Sequence, residues 1–280
     1  MNVTGVFIYP IKSCRGIELK EAEVTPKGFA WDREFVIVDE KGKFITQRQY
    51  SQLAKVRVCI EKNDIALSLE DDSIQTFQFT PNLGGKQINV EIWRDRVVGI
   101  DQGDRVAQWL QLALNLKGDF RLVRYSPYRP RPVNPKYATR KDNSVSFADG
   151  YPFLLTNTAS LDELNRRLEA AYDGNSQAVP MNRFRPNIVV DGDEPFAEDN
   201  WDAIQIGETI FDLVKPCDRC IIITTDQSNG KRNSLQEPLK TLSTFRRFSQ
   251  AGILFGENMI PRNVGLVRVG DRVVSVTSNQ

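Results

Sequence analysis

Short apolar and β-branched runs, separated by turn residues at close intervals, fill the first hundred positions of this chain. Val3 to Tyr9, Ile17 to Val24, Arg33 to Val38, Leu53 to Ile60 and Ile65 to Leu69 are each four to nine residues long, carrying apolar or alternating side chains. Asp39-Glu40-Lys41-Gly42-Lys43 reads as a hairpin turn, and Arg94-Asp95-Arg96 as another, between Val90 to Trp93 and Val97 to Ile100. Runs this short cannot bury a core as isolated hairpins, so the pattern predicts a barrel or sandwich.

The first helical spacing comes later. Val106, Trp109, Leu110, Ala113 and Leu114 share one face, with Asp104 as the expected N-cap. Four prolines between Tyr125 and Pro135 then argue against regular structure. A boundary just before this segment divides the chain into units 1–122 and 123–280. The second unit alternates. Ser160 to Leu168 is an expected helix capped by Thr158, and Glu237 to Phe248 another, with Pro238 in its first turn. Expected strands are Phe184 to Val190, Trp201 to Ile206, Thr209 to Val214, Ile221 to Thr225, Gly265 to Val269 and Arg272 to Val276. The fold class is therefore mainly β with peripheral helices, an α+β protein.

Composition removes function classes. The chain has 280 residues and no histidine. Ser-His-Asp and Cys-His catalysis, His-ligated zinc and proximal-His haem are excluded as usually built. A net charge of +1 gives no bulk argument for nucleic acid or membrane as partner. Four cysteines do not make a disulfide scaffold, and reduced thiols suit a cytoplasmic protein. The N-terminus lacks the basic and apolar regions of a signal peptide, and no apolar run approaches the ~20 residues that span a bilayer.

The chemistry-bearing motif is Cys217-Asp218-Arg219-Cys220, running into Ile-Ile-Ile-Thr-Thr. A thioredoxin-like pair needs a helix N-terminus to activate its thiol, and this β-branched run predicts a strand. Structural zinc needs further ligands, and Cys14 and Cys59 lie far away in sequence. A thiolate holding a soft metal, or the metal of a cofactor, is the third reading. Two buried, inert small residues are the fourth. Basic residues gather beside strand ends: Lys12-Ser13-Cys14-Arg15, Arg33, Arg48, Arg183, Arg185 and, between the two cysteines, Arg219. Such groups suit phosphate, although no Walker or dinucleotide-binding glycine loop is present.

These segments resemble a known family. Tyr9-Pro10-Ile11-Lys12-Ser13-Cys14-Arg15-Gly16, Asp32-Arg33, Thr46-Gln47-Arg48-Gln49, Pro152-Phe153-Leu154-Leu155, Ala159-Ser160-Leu161, Asn182 to Ile188, Asp199-Asn200-Trp201 and Cys217-Asp218-Arg219-Cys220 run in the order found in two-part MOSC-domain proteins. Mitochondrial amidoxime-reducing components and bacterial reductases of N-hydroxylated compounds belong there. The resemblance implies an N-terminal MOSC-associated β-barrel domain packed on a MOSC β-barrel domain. It implies the molybdenum cofactor in its pterin phosphate form, with Cys220 as metal ligand and catalytic thiolate. Lys12, Ser13, Arg33, Arg185, Asn187 and Arg219 are implied cofactor contacts, joined by Arg48 and Arg183 from matching segments.

The implied activity is reduction of amidoximes, hydroxylamines and N-hydroxylated nucleobases; protons are expected from solvent or from a nearby acid, for which Asp218 and Asp149 are candidates by position. The electron donor is expected to be a separate flavin or iron–sulfur protein, because the sequence lacks the cysteine cluster of a fused ferredoxin. The alternative is a cofactor or sulfur carrier without turnover, its persulfide on the C-x-x-C pair.

Overall fold

The computed structural model describes residues 1–175 and 178–276. Its largest sheet has nine strands and draws from both ends of the chain. Ile17–Leu19 and Val3–Ile8 lie at one edge, followed by Ile188–Val190, Phe153–Asn157, Gly252–Pro261, Thr209–Asp218, Ala203–Ile206 and Val273–Val276. Arg247–Phe248 pairs with Gly252–Pro261 off this path. Phe153–Asn157 and Ile188–Val190 run parallel. Parallel neighbours need a crossover, and helix α2 (Thr158–Ala171) lies within this one, after α1 (Asp104–Leu114) and before α3 (Leu239–Phe245).

The barrel-like N-terminal part is built from smaller sheets. Phe35–Val38, Arg121–Tyr125, Asp95–Asp101 and Gln87–Ile92 form one; Val56–Glu61, Asp64–Leu69 and Phe77–Phe79 another. Glu21–Thr25 and Gly28–Phe29 are completed by Gly265–Arg268 from the far end of the chain. The protein is thus mainly β with peripheral helices, an N-terminal barrel-like part packed on a second β part.

One core packs Ile11, Cys14, Phe35, Leu53, Ile65 and Leu67 against Trp109 and Leu110 of α1. A second joins Val3, Val6, Ile8 and Phe29 to Phe153, Leu155, Phe211 and Met259. Strand Val3–Ile8 is buried on both sides because it sits inside the large sheet.

Several expected elements differ. The run from Ile17 to Val24 breaks at Lys20, and its halves join different sheets. Leu53 belongs to a 3₁₀ turn, Ser51–Lys55, before the strand Val56–Glu61. Phe184 ends another such turn, Met181–Phe184; Pro186 has no N–H for a ladder, and the strand begins at Ile188. Gly103 at φ 98°, not Asp104, precedes α1. Asn157 caps α2 by accepting from the Ala159 N–H, so Thr158 is the first helical residue. Helix α3 is shorter than its pattern, ending at Phe245. The largest departure is Ile221 to Thr225. Ile221–Thr224 forms a 3₁₀ turn, not a strand. Ladder pairing with Gly252–Pro261 ends at Asp218, Ile223 packs into a core with Phe184, Leu242 and Phe255, and the Thr224 hydroxyl donates to the Ile221 carbonyl at 2.7 Å. Burial of Ile223 and this local bond override the β propensity of the run.

Candidate active site

Loops from both halves of the chain converge on one cavity. Lys12, Ser13, Arg33, Thr46, Arg48, Asp149, Tyr151, Phe184, Arg185, Asn187, Cys217, Arg219, Cys220 and Asn258 are among the residues lining it. It is an open cleft of about 880 Å³ counting its mouth.

The Lys12–Arg15 loop is anchored from below. Lys12 N–H donates to the Phe35 carbonyl at 2.7 Å, and the Cys14 side chain is wholly buried in the N-terminal core. Burial pushes the Cys14 thiol up to about 12, so it is an anchor and not a nucleophile. Ser13 adopts φ 68° above this anchor. Arg33 at φ 48° and Arg185 at φ 55° share that left-handed conformation. Three non-glycine residues in this region on one cavity wall are held by their surroundings.

Those surroundings can be followed. The Arg33 guanidinium donates to both Asp32 carboxylate oxygens, to Asn187 Oδ1 at 3.0 Å and to the Arg185 carbonyl at 3.1 Å. Arg185 donates to the Cys14 carbonyl at 2.8 Å and to Gln227 Oε1 at 3.1 Å. Both guanidinium groups lie against the Tyr9 ring, 4.2 Å from its centroid. Gln47 and Gln227 exchange two amide hydrogen bonds, each 3.0 Å, and Gln47 Nε2 also holds the Ser13 carbonyl at 2.7 Å. Both glutamines are buried. This clasp ties the Ser13 loop, the Gln47 loop and the segment after Cys220 together.

The wall is strongly cationic. Burial lowers the Lys12 ammonium below its usual range and pushes Arg185 down to about 10. Both therefore gain when an anion arrives. Lys12 Nζ donates to the Phe147 carbonyl at 2.8 Å and pairs with Asp149 at 2.7 Å. Trp93 Nε1 donates to the same carboxylate at 3.0 Å, and Arg48 lies 4.5 Å over the Trp93 ring. Trp93 is in this position because the hairpin turns at Trp93-Arg94, Asp95 pairing with Ile92, one residue earlier than the sequence pattern suggests.

The thiol pair lines the same cavity. Cys220 precedes the Ile221–Thr224 turn and is half-buried. Arg219 N–H bonds the Ile253 carbonyl at 2.7 Å, its guanidinium donates to Cys217 Sγ at 2.9 Å and to the Phe184 carbonyl, and its Nε is buried without a partner. Burial raises the Cys217 thiol despite Arg219. Asp218 is engaged as a cap: its Oδ1 accepts from the Ile253 N–H at 3.0 Å.

Of the residues singled out in the sequence, Lys12, Ser13, Arg33, Arg48, Arg185, Asn187, Arg219 and Cys220 line the cavity together. Arg183 lies outside it, pairing with Asp226 at 3.2 Å and donating to the Thr224 carbonyl at 3.0 Å. Cys59 is exposed and remote from the site, on the Val56–Glu61 strand. Arg131, within the proline-rich segment, is buried and bonds Asp95 and the carbonyls of Ser146, Ala148 and Asp149. Trp93, Tyr151, Asn258 and Gln227 carry no motif of their own; only the fold brings them in.

A mainly-β protein with loops from two domains around a thiol-bearing, cation-lined cavity defines the class: a two-domain MOSC protein. Residues 1–117 match the MOSC N-terminal beta barrel domain and residues 142–274 the MOSC domain. The chain is 33% identical to mitochondrial amidoxime-reducing component 1 of Mus musculus, over 97% of this chain and 81% of that protein. It is 31% identical to the Homo sapiens protein of that name, over 97% and 82%. A molybdenum cofactor sulfurase of Oryza sativa subsp. japonica is 29% identical over 91% of this chain and 32% of its own length. The chain belongs to the MOSC family that includes the mitochondrial amidoxime-reducing components.

Proposed function

We propose that this protein binds the molybdenum cofactor in its pterin phosphate form and reduces N-hydroxylated compounds, amidoximes and hydroxylamines among them, to amidines and amines. The observation that carries the reading is that Cys220 lines one cavity together with Lys12, Ser13, Arg33, Arg185 and Arg219. The donor set fits the group. A soft thiolate suits molybdenum. Lys12, Ser13, Arg33 and Arg185 offer a phosphate cradle, Asn187 braces Arg33, and the buried, unpartnered Arg219 Nε awaits an acceptor beside the thiol.

When bound, that cofactor supplies a two-electron change suited to removing the oxygen of an N–OH group. The chain's own groups bind and orient. Cys220 would hold the metal. Although burial works against it, Lys12 and Trp93 hold the Asp149 carboxyl well below its ordinary range, so it fixes the Lys12 ammonium at the cavity wall while protons reach the departing oxygen from solvent; Asp218 is engaged by the Ile253 N–H. Arg48 on Trp93 shapes the mouth. Arg183 acts at a distance, holding the turn after Cys220 through the Thr224 carbonyl. Electrons are proposed to come from a separate flavin or iron–sulfur protein in the cytoplasm. No helix among the described residues is long and apolar enough to cross a membrane.

Protein made in a cofactor-competent host is expected to hold stoichiometric molybdenum and, with a chemical reductant, to convert benzamidoxime to benzamidine. Cys220→Ala should lose both metal and turnover; full retention of both would sink the ligand assignment. A second reading, a sulfur carrier, draws on Cys217 and Cys220 facing one cavity with Arg219 on Cys217. A persulfide on either cysteine after treatment with a cysteine desulfurase, with no turnover, would favour it.

A further inference from the structure

One wall of the cavity is not used by the cofactor assignment. Tyr151 lines the cavity together with Cys217 and Asn258. Tyr137 meets Tyr151 edge to face, centroids 5.8 Å apart at 77°. Two ammonium groups then sit over the Tyr137 ring, Lys136 Nζ at 5.2 Å and Lys215 Nζ at 5.5 Å. Lys215 belongs to the same strand as Cys217, two residues earlier, and its carbonyl accepts from Asn258 Nδ2 at 3.1 Å. A shelf therefore runs outward from the thiols: Tyr151, Tyr137, then two lysines from different segments of the chain.

The charges on this shelf differ from three nearby cations that carboxylates match. Lys12 has Asp149, Arg33 has Asp32 and Arg131 has Asp95. Neither Lys136 nor Lys215 has an ion-pair partner among the described residues. Two ammonium groups drawn to one ring repel each other, and the ring face offsets only part of that. A dianion between them removes the repulsion and uses donors that are otherwise only hydrated. The tyrosine pair beside them offers an apolar face for a planar body.

Resting on the reductase reading, we propose that the Tyr151–Tyr137–Lys136–Lys215 shelf is a substrate subsite, and that the preferred substrates are planar N-hydroxylated compounds carrying a phosphate-like group on a short tether. The N–OH end reaches the cavity and the dianion rests between the lysines.

The test compares benzamidoxime with an aryl amidoxime carrying a tethered phosphate, using cofactor-loaded protein and a chemical reductant, so that no donor protein takes part. The phosphate-bearing compound should show about tenfold lower KM at low salt, and the advantage should shrink as ionic strength rises. In the Lys136→Ala/Lys215→Ala double variant the ratio of the two KM values should fall to near one. Calorimetry supplies a readout independent of turnover: phenyl phosphate should bind the wild-type chain more tightly than the double variant. Equal KM values in the wild type, or a phosphate preference that survives in the double variant, overturns the subsite. So does a defect of the double variant confined to turnover with a protein electron donor, which would make the lysines a docking patch. If no N-hydroxylated compound is reduced, the reductase reading fails by itself, and calorimetry alone decides the subsite: loss of phenyl phosphate binding in the double variant upholds it, equal binding removes it.

Discussion

Glu257 lies in the middle of the Gly252–Pro261 strand with 4% of its surface exposed and one carboxylate oxygen unpartnered. Burial, reinforced by Asp199 and Glu198, pushes its carboxyl up to about 9 from an ordinary value of 4.5. Between those values the folded chain keeps a proton that the unfolded chain has lost, so stability falls as pH rises across that window. Glu257→Gln should flatten the fall, and thermal midpoints compared at pH 6 and pH 9 would show it; an unchanged slope would refute the assignment. Nothing in the sequence marks Glu257, because its ionisation depends on the carboxylates folded against it. Lys12, Arg33, Arg185 and Cys220 were legible, because thiols and clustered cations announce their chemistry as residue types. Arg183 looked equivalent to Arg185 and is not: two residues apart, beside a 3₁₀ turn, they point to different partners.

At the scale of elements, the site depends on short irregular segments. The Gln47–Gln227 clasp joins three of them and holds Ser13 in a left-handed conformation. Gln47→Ala leaves the Ser13 carbonyl without its partner, a loss on the order of 1–3 kcal/mol for a buried group, and strips two bonds from the Gln227 amide, which keeps Arg185 and the Thr225 carbonyl. The expected result is a chain that still folds, melts earlier and retains less molybdenum and pterin when purified; full cofactor content would show that the clasp does not shape the cradle. Asn157 makes a different prediction. Its side chain caps α2 and also accepts from Gly192 N–H and donates to the Glu194 carbonyl. Asn157→Ala should cost at least the ~1 kcal/mol of a lost cap, read as a lower denaturation midpoint. Strands with clear alternation, such as Thr209 onward and Val97 onward, were legible from period alone. The Ile221–Thr224 turn was not, because burial of Ile223 decides it and propensity opposes it.

For the whole molecule, the ends of the chain are interleaved. Val3–Ile8 pairs with Ile188–Val190, and Glu21–Thr25 with Gly265–Arg268. A fragment of residues 123–280 lacks the strand beside Ile188–Val190 and leaves an apolar edge open. It should aggregate, whereas the full chain should unfold in one calorimetric transition; a soluble, cooperatively folding fragment would contradict this. The sequence by itself determined the β-rich class, the exclusion of histidine chemistry and the candidacy of the Cys217–Cys220 pair and the scattered cations, because these follow from residue type and local period. Only the tertiary structure decided that Asp149 and Tyr151 share one cavity with them, and that Trp93 and the paired glutamines brace its lining. The spacing of those groups is set by which strands pair, and pairing between residues some 180 positions apart is governed by burial of a common core, which no local pattern records.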